Sequence, residues 1–332
     1  MKNSLLISIV LSIVLSLATS SAQTPILMSA GYAAPTPMLV SPGQIVTIYV
    51  SGTKTVLPAQ SSTLRATTVP LPTTLGGFSV TVQQGTNTYP APLLSVVQTS
   101  NCAAGTTPSP QCTITGLTIQ IPFEIASSLD LPLVSQLPAS YLSVNDNSTS
   151  SAQFPIAPLT DTVHVLTVCD VQNVIGFLPS PCQAIATHAD GTLVSNLAPA
   201  SAGETIVLYA YGLGPTTPAV SSGQASPTPA PVVLWGPDLT IQFDFRPNAG
   251  AAIPYRAPNV VAPQALFVGL TPGQVGLYQI NLKLPDVIPP VPPCSVYFSC
   301  LGSLVGCLIQ SNLTIDIAGV SSVDGAAICV QP

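Results

Sequence analysis

Two stretches of this chain nearly repeat one another: "SPGQIVTIYVSG" at 41–52 and "SAGETIVLYAYGLG" at 201–214. Each is a β-branched and aromatic run that follows a Ser-x-Gly turn and closes on glycine, at Gly52 in the first and at Gly212 and Gly214 in the second. Turn chemistry on both sides of such a run marks a strand. Further echoes follow in the same order. "APLLSVV" from Ala91 matches "APQALFVGL" from Ala262, "GLTIQIP" from Gly116 matches "GLYQINLKLP" from Gly276, and "YLSVNDNS" from Tyr141 matches "NLTIDIAG" from Asn312. Four echoes in one order imply two copies of one β unit.

Proline agrees with this. The 332 residues include 36 prolines, about twice ordinary usage. Proline lacks the N–H donor and clashes with the preceding helical turn, so long helices are disfavoured. No segment carries a capped amphipathic helical period. Short strands punctuated by turns are frequent instead: "FSVTVQQGTNTYPAPLLSVV" alternates around a turn at Gln84–Asn87, and Asp190-Gly191 sits between two short runs as a hairpin signal. The expected fold is all-β, with two tandem immunoglobulin-like β-sandwich domains at 23–161 and 162–332 joined through "FPIAPLTD", Phe154 to Asp161. "PTTPAVSSGQASPTPAPVV" at 215–233 reads as an extended loop.

The start of the chain predicts export. Lys2 supplies a positive charge, Leu5–Ala18 is an apolar run of fourteen residues, and Ser20–Ala22 offers small residues for cleavage before Gln23. The run is shorter than the roughly 20 residues a bilayer span needs, so 1–22 is expected to be a signal peptide. The mature chain is expected to be secreted, or placed in the periplasm or at the cell surface, with no membrane span; the lesser alternative is that the apolar run stays uncleaved as an anchor. Charged residues make up only 5% and contain no basic cluster, which argues against nucleic acid as a partner.

The eight cysteines fit an oxidising compartment: Cys102, Cys112, Cys169, Cys182, Cys294, Cys300, Cys307 and Cys329. Their spacings contain no C-x2-C pair of the kind that holds zinc. Cys102 is expected to join Cys112 across an inserted loop, and Cys169 to join Cys182. The last four allow three pairings. The favoured one is Cys294–Cys300 with Cys307–Cys329, from a hairpin turning near Ala318.

With these segments in place, "HADGTLVSNLAPASAGETIVLYAYGLGPTTPAVSSGQ" and "FVGLTPGQVGLYQINLKLP" resemble the C-terminal domain family of secreted acidobacterial (Solibacter-type) proteins. The shared motifs are His188–Leu193, Pro199–Glu204, Tyr209–Pro215 and Leu270–Asn281. The first copy resembles the family's upstream half through "LVSPGQIVTIYVSG" and "LGGFSVTV". The resemblance implies an exported β-rich protein and no particular reaction.

Candidate chemistry is thin. The two histidines are His164 and His188. His164 lies in a strand-like run, where it is expected on the solvent face. His188 and Asp190 would share one face of a strand and could begin a metal or acid–base site, but Asp190 before Gly191 fits a turn role better. Glu204 is expected to bond a local backbone donor or face water. Glu124 and Asp130 have no spacing that brings them together as a glycosidase dyad. Asp146 and Asp324 sit in turns. Arg246 and Arg256 are expected to pair with Asp244 or Asp238. Trp235 stands alone as a sugar platform, and Tyr49, Tyr209, Tyr211 and Tyr278 read as packing residues. Asn147 and Asn312 stand in glycosylation sequons.

No catalytic residue, cofactor or metal is assigned. The expected function is that of a non-enzymatic extracellular interaction module with a protein or glycan partner. The alternatives are a carbohydrate-binding or adhesion module and an exported hydrolase with a non-obvious site. The first would show as an exposed aromatic cluster, the second as a His–carboxylate pair in a cleft.

Overall fold

The computed structural model describes residues 26–29, 32–33, 37–57, 63–100, 103, 112–128, 138–147, 149–151, 153–167, 184–236, 239–246, 262–288, 298–300, 307–309, 311–317, 320–321 and 328–331. The expected signal peptide lies outside them. The fold is all-β. In the first half, one sheet runs β2(Tyr32–Ala33)-β1(Ile26–Ser29)-β4(Ile45–Ser51)-β10(Thr113–Gln120)-β9(Leu93–Ser100)-β5(Thr63–Arg65). A second runs β3(Met38–Val40)-β13(Phe154–Pro158)-β11(Ser140–Asp146)-β7(Phe78–Gln84)-β6(Thr74–Leu75), with β8(Asn87–Ala91) also on β7 and β12(Thr149–Ser150) also on β11.

In the second half, one sheet runs β14(His164–Val165)-β16(Thr205–Tyr211)-β21(Tyr278–Lys283)-β20(Gln264–Leu270)-β18(Val232–Val233)-β17(Thr216–Thr217), with β15(Ala186–Thr187) also on β16. A smaller sheet holds β19(Leu239–Arg246), β24(Ser311–Ile317) and β25(Val320–Ser321), and β22(Phe298–Cys300) pairs with β23(Cys307–Ile309). Residues 215–233, expected as pure loop, therefore contribute β17 and β18. Both are two-residue strands, with β17 at the sheet edge and β18 next to it, the margin of a sheet where a proline-rich segment can pair.

Alternation dictates where the cores form. β7 reads buried at every second residue, Phe78, Val80 and Val82, and β16 does the same at Ile206, Leu208 and Ala210. A strand sends successive side chains to opposite faces, so each such strand offers one apolar face. Two clusters result. The first packs Val46, Ile48 and Val50 of β4 and Leu117 and Ile119 of β10 against Phe78, Val80 and Val82 of β7 and Leu142 of β11. The second packs Ile206 and Leu208 of β16 and Tyr278, Ile280 and Leu282 of β21 against Ile241 of β19 and Leu313, Ile315 and Ile317 of β24. In each half two sheets face one another across an apolar core. The first cluster ends at Ile156 and the second begins at Val163.

The repeated phrase is a repeated structure. β4 and β16 hold matching central places, in the orders β4-β10-β9 and β16-β21-β20. Ile48 opposes Leu117, and Leu208 opposes Ile280. The third echo therefore holds with a different alignment: Leu117 matches Ile280, so "LTIQIP" corresponds to "INLKLP" rather than Gly-Leu to Gly-Leu. Cross-strand burial sets this register, because a one-residue slip would turn every core side chain outward. β11 and β24 match as well, paired to β7 and β19 and followed by the short partners β12 and β25. Both halves close with a parallel contact just ahead of the repeated turn, Pro158 opposite Val40 and Val330 opposite Ala200.

The turns repeat atom for atom. In the first, Gln44 N–H donates to Ser41 O (3.1 Å) and Ser41 N–H donates to Gln44 Oε1 (3.0 Å). In the second, Glu204 N–H donates to Ser201 O (3.2 Å) and Ser201 N–H donates to Glu204 Oε2 (2.8 Å). Gly43 and Gly203 have φ of 79° and 73°, a region glycine enters without steric cost.

The halves meet through a polar latch. Gly223 N–H donates to the buried Gln120 Oε1 (2.6 Å) and Leu71 N–H donates to Gly223 O (2.9 Å). Ser222 Oγ accepts from Phe123 N–H (2.7 Å) and donates to Glu124 Oε2 (2.5 Å), while Ser222 N–H donates to Glu124 Oε1 (3.1 Å). The Phe123 ring packs on the second core. Segments of the resemblance motifs brace the latch from behind: Ser226 N–H donates to Gln274 O (2.8 Å) and Gly273 N–H donates to Ser226 O (2.9 Å). Interfaces inside a chain permit relative motion unless such contacts fix them. Ser222→Ala removes the side-chain bonds to Phe123 and Glu124, and the expected result is that one calorimetric transition of the wild type resolves into two. A single unchanged transition in the variant would show that the latch does not couple the halves.

Candidate functional site

A histidine–carboxylate pair lies between β15 and β16. β15 ends at Thr187, and the chain turns tightly: His188 N–H donates to Thr192 O (2.8 Å) and Gly191 N–H to His188 O (3.0 Å). Asp190 Oδ1 accepts from Thr192 N–H (2.9 Å) and from Thr192 Oγ1 (2.7 Å). Asp190 thus takes the turn position, with its Oδ1 bonded to Thr192, and acts on His188 through its charge. Those hydroxyl and amide donors hold its carboxyl below the usual range.

His188 reaches a residue sixteen positions later. Its Nδ1 stands 2.5 Å from Glu204 Oε1, and its Nε2 stands 3.1 Å from the Ala198 carbonyl oxygen. Both partners are acceptors, so the two contacts are hydrogen bonds together only when both ring nitrogens carry protons, as in the imidazolium. The bond to Glu204 is the main cause raising the His188 pKa, with help from the Ala198 carbonyl and from the charges of Glu204 and Asp190. Burial works to raise the Glu204 carboxyl, yet the Ser201 N–H and His188 outweigh it and hold the carboxyl below its ordinary value. Glu204 therefore bonds the local donor expected from sequence and also the histidine, which was not foreseen. The clue lay in the repeat: where the first copy has neutral Gln44, the second has Glu204, and only the second copy has a histidine ahead of it.

Between His188 and Glu204 the chain makes a second tight turn. Ser195 N–H donates to Ala198 O (2.9 Å) and Ala198 N–H returns to Ser195 O (3.1 Å). Leu197 at its tip is 92% exposed, and Leu193 is 47% exposed. The clamp holds an apolar knob outward.

The remaining candidates disperse. His164 is buried on β14 rather than solvent-facing, a correction that follows from a strand with both residues covered. Glu124 belongs to the latch; Asp130, Asp238, Asp324 and Arg256, and the side chains of Asp244 and Arg246, lie outside the described positions. Asp146 accepts from the Lys54 and Thr55 backbone and the Thr55 hydroxyl, fixing the segment after β4. Trp235 packs half-buried on the second core. Tyr278 is buried and its hydroxyl donates to Gly214 O (2.5 Å), while Tyr49, Tyr209 and Tyr211 are half-buried. Asn312 is fully buried and clips Ile328 through both amide atoms (2.8 and 2.9 Å), which leaves it no room for a glycan. Among the described residues no group of three His, Cys, Asp or Glu side chains is placed to hold a metal, and no helix is long and apolar enough to cross a membrane.

A second acidic place is buried at the join. Asp161 sits beside Asp316 of β24, and burial first and the neighbouring carboxylate second push the Asp161 pKa up to about 7.

Cys112 and Cys329 are in disulfides, and none of the described cysteines is free. Cys102, Cys169, Cys182 and Cys294 lie outside the described residues. Ile317 pairs with Val320 and Asp316 with Ser321 on either side of the anticipated Ala318, while 318–319 and 322–327 lie outside the described residues. Cys307 instead stands opposite Cys300 across β22–β23. Directly opposed antiparallel residues bring their Cβ atoms to about 4.5–5.5 Å, close to disulfide reach. The expected non-reducing peptide map therefore joins Cys300 to Cys307 and leaves Cys329 for Cys294. A peptide joining Cys307 to Cys329 would overturn that pairing.

Comparison with known proteins finds no matching family model, no matching curated protein and no matching solved structure.

Proposed function

We propose that the chain is an exported, non-catalytic β-sandwich protein that works by binding a protein partner, with the loop 188–204 as its contact surface. The observation that carries this reading is the commitment of His188. A general base needs a free nitrogen lone pair aimed at substrate, and here one nitrogen faces a carboxylate and the other a backbone carbonyl. The same two bonds brace a loop that presents Leu197 and Leu193 to solvent. A rigid, pre-ordered apolar knob loses little entropy on docking, and the complementary partner surface is an apolar pocket.

Export is supported by the charged and apolar start of the chain and by the disulfide-bonded Cys112 and Cys329. The resemblance to the Solibacter-type exported family points the same way. Carbohydrate binding draws less support, because none of the aromatic side chains among those described is exposed enough to serve as a stacking platform. Capture by immobilised mature chain from extracellular material, run beside a glycan array, tests the reading. The expected partner is a protein lost with Leu197→Asp and retained with Leu266→Asp, an equally polar change at an exposed site on β20. Retention by both variants, or glycan binding untouched by Leu197→Asp, would refute the loop as the contact surface.

A further inference from the structure

We infer that protonation of His188 is a switch that tightens or loosens the Ser195–Ala198 turn carrying Leu197, while Val194 stays tied to Ala186 O (2.9 Å), so that binding through this loop is pH-gated. The inference rests on the proposed role of the loop only for its biological meaning; the switch itself stands on the geometry of the clamp.

The imidazolium donates twice, to Glu204 Oε1 and to Ala198 O. Neutral imidazole has one N–H. Of the two acceptors, the carboxylate holds that proton more strongly, since hydrogen bonds to an ionised acceptor are roughly twice as strong as neutral ones. The neutral ring therefore keeps its Nδ1–H on Glu204, and its Nε2 lone pair is left facing the lone pairs of the Ala198 carbonyl. That contact turns from attraction to repulsion. Ala198 closes the turn that carries Leu197, whereas two residues on Ala200 is tied independently to Cys329 O (3.0 Å) and to Gln331 N–H (2.9 Å). Release is thereby confined to the knob, and the sandwich behind it stays closed.

The charged groups around the ring set the direction. Asp190 lies in the ring's own turn and Glu204 in the turn before β16. Asp286 faces that same turn at Gly203, and the exposed Lys283 of β21 stands opposite Thr205. Of these, the Glu204 and Asp190 carboxylates act on the ring, and both favour its cationic form. Its pKa is raised above the ordinary 6.5, so the clamp is complete in acid, persists past that value, and is lost as pH rises through the raised pKa.

The chain supplies its own control. Gln44 makes in the first copy the turn bond that Glu204 makes in the second, so Glu204→Gln keeps the turn and removes only the charge. The experiment is an NMR titration of the full mature chain, reading the His188 ring carbon shift and the heteronuclear NOE of the Asn196 and Leu197 amides. In the wild type both should change together, with a midpoint above 6.5. In Glu204→Gln both midpoints should fall by roughly one pH unit. A His188 titration with no change in the amide NOEs, or a midpoint unmoved by Glu204→Gln, overturns the switch. If the switch behaves as described and no partner is captured at any pH, the binding reading fails and the switch stands.

Discussion

Gly214→Ala is expected to remove roughly 2–5 kcal/mol of stability, a large part of the 5–15 kcal/mol that holds an ordinary domain folded. Gly214 has φ of 84°, where an L side chain is strained, and a Cβ there would enter the van der Waals envelope of the Thr160 carbonyl oxygen. The carbonyl cannot move aside cheaply, because Thr160 belongs to the segment joining the halves and Thr162 is fixed by its N–H to Gly212 O (2.8 Å). Gly214 O also accepts the buried Tyr278 hydroxyl, so displacement of the turn strips a core tyrosine of its partner. Gly191 separates the two causes. Its φ is 85°, but a Cβ there meets nothing within 4 Å, so Gly191→Ala carries only the backbone term of about 1–2 kcal/mol. Urea unfolding followed through Trp235 fluorescence measures both. Equal losses in the two variants would show that the close approach to Thr160 costs nothing.

This glycine illustrates what was legible in the sequence and what was not. The motif Tyr209–Pro215 could be read as strand followed by turn, because β-branched runs and glycines announce themselves locally. Its reason, the packing of Thr160 and Tyr278 around it, joins residues 54 and 64 positions away and leaves no local trace. The same division holds for the repeat. The equivalence of β4 with β16 was visible in twelve letters, yet the matching of Leu117 with Ile280 was not, since the identical Gly-Leu dipeptides masked a register that burial decides. His188 drew notice in the sequence beside Asp190, which read better as a turn residue. The true partner of His188, Glu204, faces it only because β15 and β16 are neighbours, with Thr187 opposite Val207. His164 was misplaced for a related reason: alternation assigns faces correctly only when one face of the strand is open, and β14 has neither residue exposed. The latch at Ser222 was invisible, because serine in a Pro/Ser-rich stretch carries no sign of the Glu124 carboxylate it meets on the other half.

Asp161→Asn is expected to stabilise the protein above neutral pH and to change little in acid. Asp161 titrates near 3.8 when unfolded and at about 7 when folded, because burial and the adjacent Asp316 carboxylate both disfavour its charge. Between those values the folded state holds a proton that the unfolded state has released. Stability then falls as pH rises. The loss begins near pH 4, is complete once the pH passes about 7, and stays constant beyond. Asparagine preserves shape and hydrogen-bonding capacity while remaining uncharged, so it abolishes this slope. At pH 8 the variant should exceed the wild type by about 1–3 kcal/mol, and at pH 4 the two should unfold at similar urea concentrations. Asp316→Asn removes the second cause and leaves the first, burial, in place. The His188 clamp responds in the same alkaline direction, but it is fixed by residues that Asp161→Asn does not touch. The difference between variant and wild type therefore reports Asp161 alone. A variant less stable than the wild type at pH 8 would mean that the ionised carboxylate has a stabilising partner at the join, and the direction of the pH dependence would reverse.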